Sequence, residues 1–267
     1  MLRITQFVVL ALAFCHCGQV LAIEGGEPAA EGEFPYMVSI RDSSNKHICG
    51  GTIIGDVWIL TSSICYSRSW FGYVRYGSNL LDDDGQLPVN TSLNIAKVNE
   101  SIYNKWATDI PPYTHDLNLL RLEEPIQFSE TVQPVQLPVL DEEWPYNQTA
   151  TILGWGQPHY WRSQVHLQKA NVPLFTDQYC HDFEYENWKI PDVFVMKCGG
   201  AVNESYHCFN DYGGPVIYNG IQYGQREYGI QSYVYARADA DYLCGAFPSI
   251  YSPVSYFREW IKNTTGI

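Results

Sequence analysis

Apolar residues in this chain arrive in short runs closed by turn formers. The stretches Tyr36-Met37-Val38-Ser39-Ile40, Val57-Trp58-Ile59-Leu60-Thr61, Leu117-Asn118-Leu119-Leu120-Arg121-Leu122 and Ala150-Thr151-Ile152-Leu153-Gly154-Trp155 are rich in β-branched and aromatic side chains. Such residues suit the pleated surface of a sheet better than a helix. The pattern predicts an all-β chain. Helical spacing is expected in two places: a short stretch from Thr176 to His181, and the C-terminus, where Val254, Phe257, Trp260 and Ile261 share one face. Val132 to Pro138, with two prolines and no helical period, reads as an extended connector between two halves.

The first residues follow a different pattern. Met1-Leu2-Arg3 supplies a positive charge, Phe7 to Phe14 is apolar, and Val20-Leu21-Ala22 ends on a small residue. This is the layout of a secretory signal peptide. Its apolar run is shorter than the ~20 residues that span a bilayer. Residues 1–22 are therefore expected to be removed and the product to be extracellular, with Ile23 at its start and no membrane insertion.

Cysteine usage agrees with export. Cys15 and Cys17 leave with the leader; Cys49, Cys65, Cys180, Cys198, Cys208 and Cys244 remain, an even set in an oxidising compartment whose connectivity composition leaves open. None has zinc-ligand spacing with histidines nearby, and Asp82-Asp83-Asp84-Gly85 lacks a suitably placed bidentate acid for calcium. No metal and no cofactor is expected. The net charge is -13, and the loss of Arg3 makes it more negative, so a nucleic-acid partner lacks its electrostatic footprint. Asn90, Asn99, Asn147, Asn203 and Asn263 each open an Asn-x-Ser/Thr acceptor, which marks them as candidate glycan-bearing surface positions.

The segment Cys208-Phe209-Asn210-Asp211-Tyr212-Gly213-Gly214-Pro215 resembles the nucleophile loop of secreted serine proteases, Cys-x-Gly-Asp-Ser-Gly-Gly-Pro, with Tyr212 in place of the serine. Ile23-Glu24-Gly25-Gly26 is similar to the mature N-terminus Ile-Val-Gly-Gly, and Cys49-Gly50-Gly51-Thr52-Ile53-Ile54 to Cys-Gly-Gly-Ser-Leu-Ile. Trp58 to Cys65, His115 to Leu120 and Gly154-Trp155-Gly156 complete the set in the right order. On these motifs the chain resembles chymotrypsin- and trypsin-like proteases over nearly all of residues 23–267. The resemblance implies two six-stranded antiparallel barrels, about residues 23–130 and 131–267, with a cleft between them and a C-terminal helix. It also implies disulfides Cys49–Cys65, Cys180–Cys198 and Cys208–Cys244.

Carried over residue by residue, the resemblance implies no working triad. The family's Thr-Ala-Ala-His-Cys is matched by Thr61-Ser62-Ser63-Ile64-Cys65, so Ile64 stands where the general base belongs and accepts no proton. Asp116 matches the aspartate that orients that base, and is expected to be a hydrogen-bonded structural carboxylate. Tyr212 replaces the nucleophile; its phenol, with an ordinary pKa of ~10, has no adjacent base to activate it. Losing serine, histidine or both costs on the order of a million-fold in turnover. The oxyanion hole would use the amides of Asn210 and Tyr212, with Asn210 replacing a glycine and the phenol expected to project into the cleft. Tyr206, Val234 and Ser249 match pocket positions and predict an occluded specificity pocket. Asp211 matches the family's partner for the buried N-terminal amine, here that of Ile23. His115 is expected to point away from Asp116 on a strand, and His207 has no visible activating group.

Within the family, the chain resembles the inactivated serine protease paralogues of scabies mites, relatives of the group 3 mite allergens. That resemblance implies a non-enzyme whose partners are host extracellular proteins, complement components first among them. Tyr228, Tyr233, Tyr235 and Tyr242, interleaved with Asp239 and Asp241, have the aromatic and polar mix of an interface. The alternatives are a non-catalytic decoy or cofactor for proteases and their inhibitors, and a weak hydrolase with relocated chemistry.

Overall fold

The structure, a computed structural model, describes residues 23, 26–65, 71–81, 94–108, 113–156, 165–185, 188–200, 205–220, 224–232, 244 and 247–267. The leader, Asp82 to Asp84, Asn90, Asn203, Val234 and the Tyr233, Tyr235, Tyr242, Asp239 and Asp241 group lie outside them.

A two-residue strand, β1 (Glu27–Pro28), precedes a barrel. The strands β2 (Met37–Asp42), β3 (His47–Ile53), β4 (Trp58–Thr61), β5 (Phe71–Tyr76), β6 (Asn94–Tyr103) and β7 (Asn118–Leu122) close antiparallel in the order β2-β3-β4-β7-β6-β5. Pairing of β5 back onto β2 removes both sheet edges. Val38, Ile40, Ile53, Ile59, Val74 and Leu120 fill its interior. The alternation has two buried faces here: between Val38 and Ile40, Ser39 is buried too and bonded to His47. That double burial is why the β2 sequence reads as one continuous apolar run.

The second half is β8 (Thr149–Gly154), β9 (Gln168–Pro173), α1 (Asp177–Asp182), the short pair β10 (Glu184–Tyr185) and β11 (Trp188–Lys189), β12 (Lys197–Gly199), β13 (Pro215–Gly220), β14 (Gly224–Gln231) and β15 (Ser249–Pro253). Among the described residues its ladder is a half-barrel, a seven-stranded sheet in the order β1-β9-β8-β13-β14-β15-β12, and not a second closed six-stranded barrel. One isolated bridge, Leu174 with Gly199, draws the β9 and β12 sides together. The seventh strand is β1, which crosses from the N-terminus to pair with β9, where Lys169 is ion-paired with Glu33 at 2.7 Å.

The apolar surfaces of the halves meet in one core: Tyr36, Leu60 and Leu117 pack in the same cluster as Leu153, Trp155 and Ile230. The connector runs extended from Val132 and is bonded to both sides. Gln133 N–H donates to Pro35 O (3.1 Å) and Val135 N–H to Ile53 O (2.8 Å), while Gln136 O accepts from Glu227 N–H (3.0 Å). The C-terminus turns through a 3-10 segment (Val254–Phe257) into α2 (Arg258–Thr265). Val254, Phe257 and Ile261 are buried, and Gly266 ends the helix in the left-handed region at φ 82°. Disulfides join Cys49 to Cys65, Cys180 to Cys198 and Cys208 to Cys244.

Candidate functional site

The seam between the halves brings together Ser62 and Ile64 after β4, Asp116 before β7 and Ser232 after β14. Asp116 is 1% exposed. Its Oδ2 accepts from Ser62 Oγ at 2.6 Å and from Ser232 Oγ, and its Oδ1 accepts from the Ile64 amide at 2.9 Å. Burial raises the carboxyl above its ordinary pKa, against the lowering effect of these donors. The carboxylate is fully engaged by hydroxyl and amide donors. Where a base would stand, the Ile64 side chain is buried among the barrel's apolar residues and disulfides.

Tyr212 is equally buried, at 1% exposure, in that same cluster. The expectation of a phenol projecting into an open cleft is corrected: the ring belongs to the core. The backbone explains it, because the loop is pressed onto the barrel. Gly50 N–H donates to Tyr212 O at 2.9 Å, and a Cβ on Gly213 (φ 80°) would lie 2.1 Å from Thr61 Oγ1. Asn210 holds the left-handed conformation at φ 68°, which asparagine tolerates better than most non-glycine residues.

Two histidines flank this loop, and neither is placed as a catalyst. His207 is buried edge-on to Tyr212 (6.2 Å between centroids) and 5.7 Å from Tyr251. Burial pushes its pKa down to about 3, with the nearby Ser232 backbone opposing. His47 bridges Ser39 Oγ (2.9 Å) and the Asn210 carbonyl (3.2 Å). Because a carbonyl only accepts, Nε2 carries the proton and Nδ1 accepts from the serine. Burial, with Arg41 adding to it, lowers this imidazole too to about 3. His115 departs from its expected strand position. It sits in a turn at φ 54°, edge-on to Tyr256 and Phe257, three residues before β7 begins.

Asp211 is wholly buried, and burial raises its pKa to about 7. It accepts from Gly156 N–H (2.7 Å) and Cys208 N–H (2.9 Å). Its carboxylate lies so close to Gly154 and Gly156 that a Cβ on either would collide with it, at 1.8 and 2.4 Å. This close approach accounts for the two glycines around Trp155. Ile23 is buried with Ala150, Ile152, Val172 and Tyr251, and its carbonyl accepts from Gly26 N–H at 2.9 Å.

A family model described as Trypsin matches residues 23–261. The chain belongs to the trypsin family. It is 30% identical to Trypsin 5G1 of Aedes aegypti over 252 residues, covering 92% of this chain and 85% of the relative. It is also 30% identical to Trypsin of Phaedon cochleariae over 255 residues, covering 92% and 90%. Human heparin binding protein has the same fold, with a TM-score of 0.73 at 22% identity over 90% of this chain and 95% of that one.

Against the trypsin-family pattern, Ile64, Asp116 and Tyr212 are brought together as one buried cluster beside the Cys49–Cys65 disulfide. Tyr206 is partly buried against that cluster, and Ser249 is fully buried at the start of β15. Tyr228 is 5% exposed and donates its hydroxyl to Glu142. Asn99, Asn147 and Asn263 are exposed. Sequence reasoning missed Ser62 and Ser232 as partners of Asp116 and His207 as an interior group. The one readable signal was Ser62, a hydroxyl where the family segment has alanine. Among the described residues no group of three or more His, Cys, Asp or Glu is placed to hold a metal.

Proposed function

We propose that this chain is a secreted trypsin-family homologue that does not hydrolyse peptide bonds and acts by binding host extracellular proteins, complement components first. The observation that carries the reading is the Asp116 carboxylate, saturated by Ser62, Ser232 and the Ile64 amide with an isoleucine side chain where a base must be. Hydrolysis needs a nucleophile within hydrogen-bond reach of a base. Tyr212 lies in the core, and its imidazole neighbour His207 has a pKa lowered to about 3. A base that weak is poorly matched to neutral pH. Three disulfides support an extracellular setting.

Purified protein tested in complement lysis assays and used to capture partners from serum tests the binding half. Reduced lysis with recovery of a complement protein is expected; no effect on any pathway and no such protein recovered overturns it. A fluorophosphonate probe tests the other half. Absence of labelling is expected, and labelling that Tyr212→Phe abolishes would revive a hydrolase. Cleavage after Ala22 would free the amine of Ile23 for pairing with Asp211, and N-terminal sequencing that begins well upstream of Ile23 removes that part of the reading.

A further inference from the structure

Away from Asp116, the segment from Val139 to Tyr146 and the β13–β14 hairpin border an open groove of about 770 Å³. Its walls are aromatic. Tyr218 and Tyr228 meet edge to face with centroids 5.7 Å apart, and Tyr146 lines it as well. Tyr146 donates its hydroxyl to Asp177 at 2.7 Å, and Tyr228 donates to Glu142. A phenol that donates to an anion carries more electron density on its ring, which strengthens the attraction of that ring for a cation. The protein already uses this chemistry internally. Lys197 Nζ sits 5.1 Å over the Tyr146 ring while paired with Asp177 at 2.7 Å, and Glu142 holds Arg226 at 2.7 Å.

Those two pairs are closed, whereas the outer carboxylates are not. Asp141 and Glu143 are exposed on the groove, and neither has an ion-pair partner among the described residues. Val139 and Leu140, each 54% exposed, add an apolar rim. We propose that this groove docks a lysine or arginine side chain of a partner protein. The charged head is held by Asp141 and Glu143, and the aliphatic stem lies along Val139, Leu140 and the Tyr218 ring. The groove is open, so a free amine would leave most of its surface in water, while a side chain carried by a polypeptide brings its stem and neighbours to the apolar rim. The net charge of -13 favours such a partner's approach. The inference stands on this groove and holds for a basic partner inside or outside the complement system.

The test is fluorescence anisotropy with the full secreted protein and a labelled hexapeptide, Gly-Ala-Arg-Leu-Ala-Gly, beside its citrulline counterpart, which keeps the shape and removes the charge. The arginine peptide is expected to bind about tenfold more tightly than the citrulline peptide. D141N/E143Q should erase that difference, whereas Y218L, which takes the ring away from the stem, should weaken binding of both peptides, in each case with melting temperature unchanged. E124Q/E130Q, which removes two exposed carboxylates away from the groove, should preserve the difference. Equal loss in E124Q/E130Q, or no discrimination between the peptides, overturns the proposal. So does agmatine competing as well as the unlabelled peptide, which assigns the groove to small amines. A concentration-dependent dimer that D141N/E143Q disperses assigns it to a second copy and overturns it too.

Discussion

A carboxylate that accepts from two hydroxyls and a backbone amide has become part of the architecture. Removing it strands those donors in a dry seam, at ~1–3 kcal/mol for each group left unsatisfied. Asp116→Ala is therefore expected to lower unfolding free energy by about 3 kcal/mol in urea titrations. Asp116→Asn should cost less, because the hydroxyls of Ser62 and Ser232 can rotate to accept from the amide. At the same scale, Ile64→His alone and Tyr212→Ser alone should each leave fluorogenic peptide substrates uncut, since base and nucleophile act as a unit. Measurable turnover from either single variant would contradict this. Ile64, Asp116 and Tyr212 were readable because each lies inside a motif of fixed spacing. Ser62 and Ser232 were not readable as partners of Asp116, since those contacts join residues 54 and 116 positions apart. Nor was the fate of the Tyr212 ring, which depends on how tightly the loop lies against Gly50 and Thr61.

Elements were more legible than their assembly. All four apolar runs became strands, β2, β4, β7 and β8, because alternation and β-branching report local fit to a pleated surface. The short helix formed with Thr176 as its N-cap, accepting from Tyr179 N–H at 3.2 Å. Closure of the sheets was not legible from periodicity, since it depends on which edges meet. The family resemblance supplied a second closed barrel, whereas β1 entering beside β9 makes the ladder seven strands long. A disulfide stabilises more the longer the loop it closes, with the logarithm of that length. Cys208–Cys244 spans 36 residues and Cys49–Cys65 spans 16, which in the chain-entropy account corresponds to about 4 and about 3 kcal/mol. The double alanine variant at 208 and 244 should therefore show the larger drop in denaturant midpoint.

At the scale of the molecule, buried ionisable groups set how stability follows pH. Glu227 is wholly buried on β14 and bonded across the seam to Thr52 of β3 at 2.8 Å; burial raises its pKa from 4.5 to about 8. Asp211, before any pairing with a freed Ile23 amine, is raised from 3.8 to about 7. Both pKa values are higher folded than unfolded, so the stability they contribute is complete below their unfolded values and is lost as pH rises through the folded ones. His47 and His207 work in the opposite sense. Lowered from 6.5 to about 3, they contribute stability present above 6.5 and lost as pH falls toward 3. The two trends offset each other between about 4.5 and 6.5 and leave only the acids acting above that window. Urea midpoints should thus form a plateau at mildly acidic pH, fall from about 6.5 to 8, and fall again below about 4. Glu227→Gln should flatten the alkaline fall, and an unchanged slope would contradict the assignment. The core shared by both halves and the connector bonded to each predict a single cooperative transition in these titrations. Packing of the phenol at position 212 also bears on what that position tolerates. A serine there would leave an aromatic-sized void among Ile64 and the disulfides, so Tyr212→Ser is expected to weaken the fold whatever it does to the chemistry. The ring volume at this position is held by packing alone, independently of any role the loop has in chemistry.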